Sequence, residues 1–310
     1  MSEIVICEFM DEAIAKDVLK SFDVLYDAAL VDDRAALLAS LADARAVIVR
    51  NRTQVDAELL DHAPRLEAVG RLGVGLDNID LDLCKARNVT VYPATGANDL
   101  AVAEYAISAA LLLLRGVWQA GPQVVAGKWP RSSSMGREAS GKRFGLIGFG
   151  SIAREVAGRA KALGMHVCAY DPYLPHEDEA WSGIDPVSLQ DIAETCDVVS
   201  VHVPLTNETR HLIDADFIGK MKQGAILINT ARGGVVDERA LVNALRAGKL
   251  GGAALDVFES EPVHASGGMT FESVPNLLLT PHIAGISEES NLRVSRVTAE
   301  NVARHLRGQV

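Results

Sequence analysis

The chain has 310 residues, 48% of them hydrophobic and only 5% aromatic, with a formal net charge of -11. Length and composition suit one large or two ordinary α/β domains with buried parallel strands. The charge disfavours nucleic acid and acidic membrane surfaces as partners, so an acidic ligand requires a local concentration of cations.

In chain order, strands are predicted at 4–7, 23–26, 46–49, 68–71 and 90–92, with helical segments such as 11–19 and 57–62 between them. This is the pattern of a small parallel sheet covered by helices. The apolar run 101–115 reads as a buried helix, either in the core or at a subunit contact. Segment 117–140, richer in Gly, Ser and Trp, reads as an extended arm or loop. A second series follows, with strands at 144–147, 166–170, 198–203, 225–230, 252–257 and 277–280 and helices at 152–163, 189–195 and 238–247. A helix at 288–306 closes it. The N-terminus lacks a basic region followed by a long apolar segment, and the longest apolar stretch falls short of the ~20 residues that span a bilayer. The expectation is a cytoplasmic protein without a membrane partner. Cys7, Cys84, Cys168 and Cys196 form no CxxC pair or His-rich cluster, so neither a disulfide framework nor a metal site is expected; Cys168 reads as a small buried hydrophobe.

The second series opens on FGLIGFGSIAREVA, a short strand running into Gly148-x-Gly150-x-x-Ala153 and then a helix. The first glycine permits a tight turn, the second lets backbone approach a pyrophosphate, and the small third residue lets helix and strand pack closely. The helix N-terminus adds N–H donors and a favourable dipole. The next strand ends in Asp171, placed to accept from adenosine ribose hydroxyls. DPYLPHEDEAW after it has no Lys or Arg to balance a 2′-phosphate, which predicts NAD rather than NADP. Three further strands end in polar residues: INTARGGVVDE, ALDVFESEP and LLTPHIAG. Ligands of open α/β sheets bind at the carboxyl ends of strands, so Arg232, Asp256, Glu261 and His282 are expected to face one crevice.

These segments, with RLGVGLDNID, NDLAVAE and HVPLTNETRHLI, resemble the D-isomer-specific 2-hydroxyacid dehydrogenases over essentially the whole chain. Ala153 is a mild departure at the third glycine of the turn. The resemblance implies two doubly wound parallel-sheet domains, with a Rossmann NAD-binding domain (99–284) inserted into a flavodoxin-like substrate domain (1–98 and 285–310). Substrate is then expected in the cleft between the domains. The implied reaction is hydride transfer between nicotinamide and a small 2-hydroxy or 2-oxo acid. In reduction His282 protonates the developing alkoxide, Glu261 fixes its tautomer, and Arg232 grips the carboxylate. Backbone of Gly73, Val74 and Gly75 is implied to hold the carboxylate's other side. Implied NAD contacts, beyond Gly148 and Gly150, are Ser151, Ile152, Asp171, His202, Val203, Pro204, Thr209, Thr230, Ala231, Arg232, Asp256, His282, Ala284 and Gly285. Glu261 argues against the formate dehydrogenase branch, which pairs its histidine with glutamine. The arm near 117–131 is implied to make a homodimer contact. Corepressors of the same fold, which bind partner proteins, are the competing class; the acidic chain favours a metabolic enzyme.

AVIVRNRTQVD places Arg50 and Arg52 at a strand end. They are either ordinary surface charge or a site for an anion. Residues two apart in an extended segment point the same way, so the pair is expected to converge. Thr53-x-x-Asp56 resembles a capping box, which would set a helix N-terminus directly behind them. Within the family, 3-phosphoglycerate dehydrogenases have an arginine matching Arg50, and VRNRTQV resembles the segment of the sulfolactate dehydrogenases. The expectation is a substrate with a second anionic group, sulfonate ahead of phosphate.

Overall fold

The computed structural model describes residues 2–309. It falls into two compact units. One takes in the chain up to Asn98 and again from Ile286; the other is Asp99–Gly285.

The first unit is built on strands β1 (Ile4–Ile6), β2 (Val24–Tyr26), β3 (Ala46–Val49), β4 (Ala68–Arg71) and β5 (Thr90–Pro93), in the order β2-β1-β3-β4-β5. All of them pair in parallel. Strand order reverses between β1 and β3, which makes their carboxyl ends the unit's topological switch point. These central strands are apolar without alternation and completely buried, as a sheet covered on both faces requires. Aspartates start the helices that cover them: the side chains of Asp11, Asp33, Asp56 and Asp80 each accept a first-turn N–H. The last helix, Glu288–Leu306, packs Val294, Ala299, Val302, Ala303 and Leu306 into one core with Ile4, Ile6, Ile48 and Ala68.

The second unit carries β6 (Arg143–Ile147), β7 (His166–Tyr170), β8 (Asp185–Pro186), β9 (Val198–Val201), β10 (Ala225–Asn229), β11 (Leu250–Leu255) and β12 (Leu277–Leu279). Their order is β12-β11-β10-β9-β6-β7-β8, again all parallel. This is the doubly wound dinucleotide-binding order with its switch point between β6 and β9. Helix Asp99–Arg115 buries Ala103, Ala106, Ala110 and Leu113 against β6, β10 and β11 residues, so its apolar run belongs to this core. The arm is not wholly irregular: it holds a short turn at Val117–Gln119 and a helix at Gly121–Val125. No single helix among the described residues is long and apolar enough to cross a bilayer.

Two expectations about the end of β3 fail. Helix Ala57–His62 is capped by Asp56, whose side chain accepts from Leu59 N, so no capping box starts at Thr53. Thr53 is instead buried, with its hydroxyl 3.5 Å from the Cys7 thiol. Residues 51–53 form a bend rather than an extended strand, so the rule that residues two apart share a direction does not govern Arg50 and Arg52.

Candidate active site

The turn after β6 has the geometry a pyrophosphate needs. Gly148 adopts φ 87°, its N–H donates to Tyr170 O at 2.8 Å, and a Cβ there would stand 2.7 Å from His202 O. Only glycine fits that position. A Cβ built on Gly150 would meet nothing within 4 Å, so open space lies where backbone must approach a ligand. Helix Ser151–Ala162 begins at Gly150 with no side-chain cap, so the first-turn N–H groups at Ser151 and Ile152 lack the usual partner. Ala153 is fully buried, as close helix–strand packing requires. Asp171 is pinned: its two oxygens accept from Phe149 N and Tyr173 N, both at 2.9 Å, leaving a lone pair on each for a ribose hydroxyl.

Across the switch point, His202 N donates to Ile147 O and its Nε2 lies 2.9 Å from Ser200 Oγ. Desolvation pushes this imidazole down to about 4, so it is neutral near pH 7. Thr209 donates to Pro204 O at 2.6 Å and receives Thr206 N at 2.7 Å; its hydroxyl braces the loop that starts at Val203. Thr230 Oγ1 is buried without a hydrogen-bond partner among the described residues, as a hydroxyl that serves a bound polar ligand would be. The open cradle at Gly150, the uncapped helix and this orphaned hydroxyl together fit a dinucleotide.

Three strand ends deliver the polar residues. After β10, the buried Asn229 accepts from Ala231 N at 3.0 Å and donates to Arg232 O at 2.9 Å, stapling the turn that presents Arg232. Gly233 follows because a Cβ there would fall 1.7 Å from Phe258 O. After β11 comes Asp256, 1% exposed and not open to a crevice as expected. Its Oδ1 accepts from Thr280 Oγ1 at 2.6 Å and Ile283 N at 2.8 Å, and its Oδ2 from Ala284 N at 2.8 Å. The Thr280 proton is thereby committed, so the half-buried Tyr105 hydroxyl, 2.5 Å from Thr280 Oγ1, is the donor of that pair. Burial raises the Tyr105 phenol above its ordinary value, so it keeps its proton. Asp256 therefore clamps the turn from His282 to Gly285 after β12. His282 itself sits at φ 57°, a left-handed conformation costing about 1–2 kcal/mol. Its N–H holds the turn by donating to Asp256 O and Thr280 O, 2.8 and 3.0 Å away.

That turn points the His282 ring at Glu261, with Nδ1 2.7 Å from Oε2. Glu261 Oε1 accepts from Phe258 N at 2.9 Å. Burial alone would raise the Glu261 carboxyl. The His282 bond, the Phe258 N–H and the charges of His282 and Arg232 outweigh that and hold it below the usual carboxylate range. An ionised carboxylate only accepts, so Nδ1 carries a proton and Nε2 is left to face a ligand.

In the first unit, the carboxyl ends of β1 and β3 meet at Glu8, a residue that sequence patterning passed over. It is 4% exposed; Oε1 accepts from Arg50 N at 2.8 Å and Thr53 N at 3.0 Å, and Oε2 from Arg52 N at 3.2 Å. Asn78 closes the loop from the other side, donating to Thr53 O at 2.6 Å. The two guanidiniums take different partners. Arg50 Nη2 donates to Asn291 Oδ1 at 3.0 Å and its guanidinium lies 5.8 Å from the Phe9 ring centroid; Arg52 Nη2 pairs with Asp32. Burial lowers Arg50 from its ordinary value, while the bond to Asp32 raises Arg52. After β4, Gly73 is tied into the sheet by accepting Ala94 N, whereas the N–H groups of Val74 and Gly75 make no hydrogen bond among the described residues.

The order of the second sheet and its glycine turn define a dinucleotide-binding domain. Residues 107–284 match the family model described as D-isomer specific 2-hydroxyacid dehydrogenase, NAD binding domain. The chain is 53% identical over 307 residues to an (S)-sulfolactate dehydrogenase of Chromohalobacter salexigens, covering 99% of each protein. It is 42% identical over 275 residues to a D-3-phosphoglycerate dehydrogenase of Archaeoglobus fulgidus, covering 89% of this chain and 52% of that longer protein. A solved D-lactate dehydrogenase of Aquifex aeolicus, complexed with NAD and lactic acid, superposes with a TM-score of 0.85 at 30% identity, covering 99% of this chain and 96% of that one. The protein belongs to the D-isomer-specific 2-hydroxyacid dehydrogenase family. It is an NAD-dependent enzyme acting on the CH–OH group of a 2-hydroxy acid.

Proposed function

We propose that the enzyme interconverts a D-configured 2-hydroxy acid and its 2-oxo acid, that His282, Glu261 and Arg232 carry the chemistry, and that the substrate bears a second anionic group. The observation that supports the catalytic assignment is the Glu261–His282 bond beside the charge of Arg232. Bound NADH supplies the hydride for the keto carbon. Arg232 holds the carboxylate through its planar fork of donors and polarises the carbonyl oxygen. His282 delivers a proton from Nε2 to that oxygen as charge develops, while Glu261 keeps Nδ1 protonated and stabilises the cationic ring. The uncommitted N–H groups of Val74 and Gly75 bind the carboxylate's other oxygen.

Arg50 and Arg52 receive the second anion. Their support is place: the loop stands at the β1–β3 switch point, where open α/β sheets bind ligands. A sulfonate is the best reading, and the substrate is then (S)-sulfolactate or, in reverse, sulfopyruvate. 3-Phosphoglycerate is the second reading, favoured by the matching arginine at 50 and the phosphoglycerate relatives. The arm exposes Val125 at 90%, Met135 at 84% and Trp129 at 76%, which supports a homodimer joined through it.

The test is NADH oxidation against sulfopyruvate, 3-phosphohydroxypyruvate, hydroxypyruvate, oxaloacetate and pyruvate. A kcat/KM preference for sulfopyruvate that is lost in Arg52→Ala is expected. A preference for uncharged side chains would refute the second-anion reading.

A further inference from the structure

The loop after β3 carries two cations and has two carboxylates beside it. Glu8 binds the backbone N–H groups of Arg50, Arg52 and Thr53 from beneath, and Asp32 pairs with the Arg52 guanidinium at the rim. We propose that Glu8 and Asp32 are specificity-determining residues that set this loop to accept one negative charge rather than two. The proposal rests on Arg50 and Arg52 binding the distal group of the substrate.

Three observations carry it. First, the N–H groups of Arg50, Arg52 and Thr53 are already spent on Glu8, so at these positions an incoming group has the guanidiniums to bind. Second, Glu8 is 4% exposed and fixed by three hydrogen bonds, so its charge stays beside the arginines whatever the ligand and is weakly screened by salt. Third, two arginines against two carboxylates leave these four groups with no surplus positive charge. Sulfonate and phosphate present the same tetrahedral oxygens, so shape does not separate them. Charge does: a sulfonate brings one negative charge, a phosphate about 1.5 to 2 at pH 7. The additional charge meets two carboxylates, and of the loop's two cations Arg52 is already paired with Asp32.

The experiment measures NADH-dependent kcat/KM for sulfopyruvate and 3-phosphohydroxypyruvate in wild type, Asp32→Asn, Glu8→Gln, Arg50→Ala and Arg52→Ala. Asp32→Asn should raise the phosphate-to-sulfonate ratio about two- to five-fold at low salt, the scale of one exposed ion pair, and the gain should vanish in high salt. Glu8→Gln removes a buried charge and should raise the ratio further, about ten-fold, with salt having less effect. Asp32 lies on the exposed rim, so its variant reports even where Glu8→Gln folds poorly. An unchanged ratio in Asp32→Asn, with both arginine variants still raising KM for both substrates, overturns the charge inference and leaves the arginine assignment standing. Arginine variants that leave both substrates unaffected overturn the assignment and the inference together.

Discussion

Replacing Asp256 by Asn changes one atom in a buried clamp and should disable the turn that carries His282. The carboxylate accepts three hydrogen bonds, from Thr280, Ile283 and Ala284, and is 1% exposed. With the amide oxygen facing Thr280 and Ile283, the amide nitrogen faces the Ala284 N–H, donor against donor. One charge-assisted bond worth about 1.5–3 kcal/mol is lost, and the two survivors weaken to the ~1 kcal/mol of neutral pairs. The net cost is about 2–4 kcal/mol, which for a domain of this size lowers Tm by roughly 5–15 °C. The turn relaxes from the left-handed conformation it holds at His282, and a displacement near 1 Å there costs about 100-fold in kcat. Scanning calorimetry and steady-state NADH oxidation measure both effects. A variant within about 1 °C of wild-type Tm and about two-fold of its kcat would refute the clamp.

Glu261→Gln keeps an acceptor for His282 Nδ1 but removes the charge 2.7 Å away, so the alkaline limb of the reductive pH–rate profile should move to lower pH; superimposable profiles would contradict the role given to Glu261. The same carboxyl is depressed in the folded protein, so its contribution to stability is complete above the unfolded value near 4.5 and fades as pH falls through the folded one; acid unfolding should therefore separate wild type from Glu261→Gln above pH 4.5 and converge below it. Gly150→Ala fits the backbone and the open space, so it should leave Tm unchanged while raising the KM for NAD about ten-fold. Gly148→Ala should instead destabilise, because of its φ of 87° and the His202 carbonyl; equal behaviour of the two variants would sink the cradle argument.

Periodicity was enough to read the central strands of both sheets, because completely buried parallel strands print as uninterrupted apolar runs, and helix Glu288–Leu306 was legible to the residue; the exposed two-residue edge strand β8 carries no such run and was missed. The strand-end rule singled out Arg232, Glu261 and His282, which the fold does bring together, because each follows its strand within a few residues. It misplaced Asp256, since a strand-end aspartate looks the same in sequence whether it faces solvent or turns inward to bind N–H groups. Glu8 and Asn229 were missed for the same reason. Their partners are backbone atoms, which leave no trace in side-chain patterning; the available signal was a single polar residue closing an apolar strand. The bend at 51–53 escaped because Glu8, more than 40 positions away, creates it.

The return of helix Glu288–Leu306 to the sheet formed by β1 to β5 orders events in time. On the ribosome, all five strands of that sheet emerge early, yet the face awaiting Val294, Val302 and Leu306 stays uncovered while the whole of Asp99–Gly285 is made. At about 5–20 residues per second, that wait is on the order of 10–40 seconds. The inserted unit holds every strand of its own sheet and is free to fold first. The unit begun first is therefore finished last, and during the wait its apolar underside is the nascent chain's exposed liability to chaperones and aggregation.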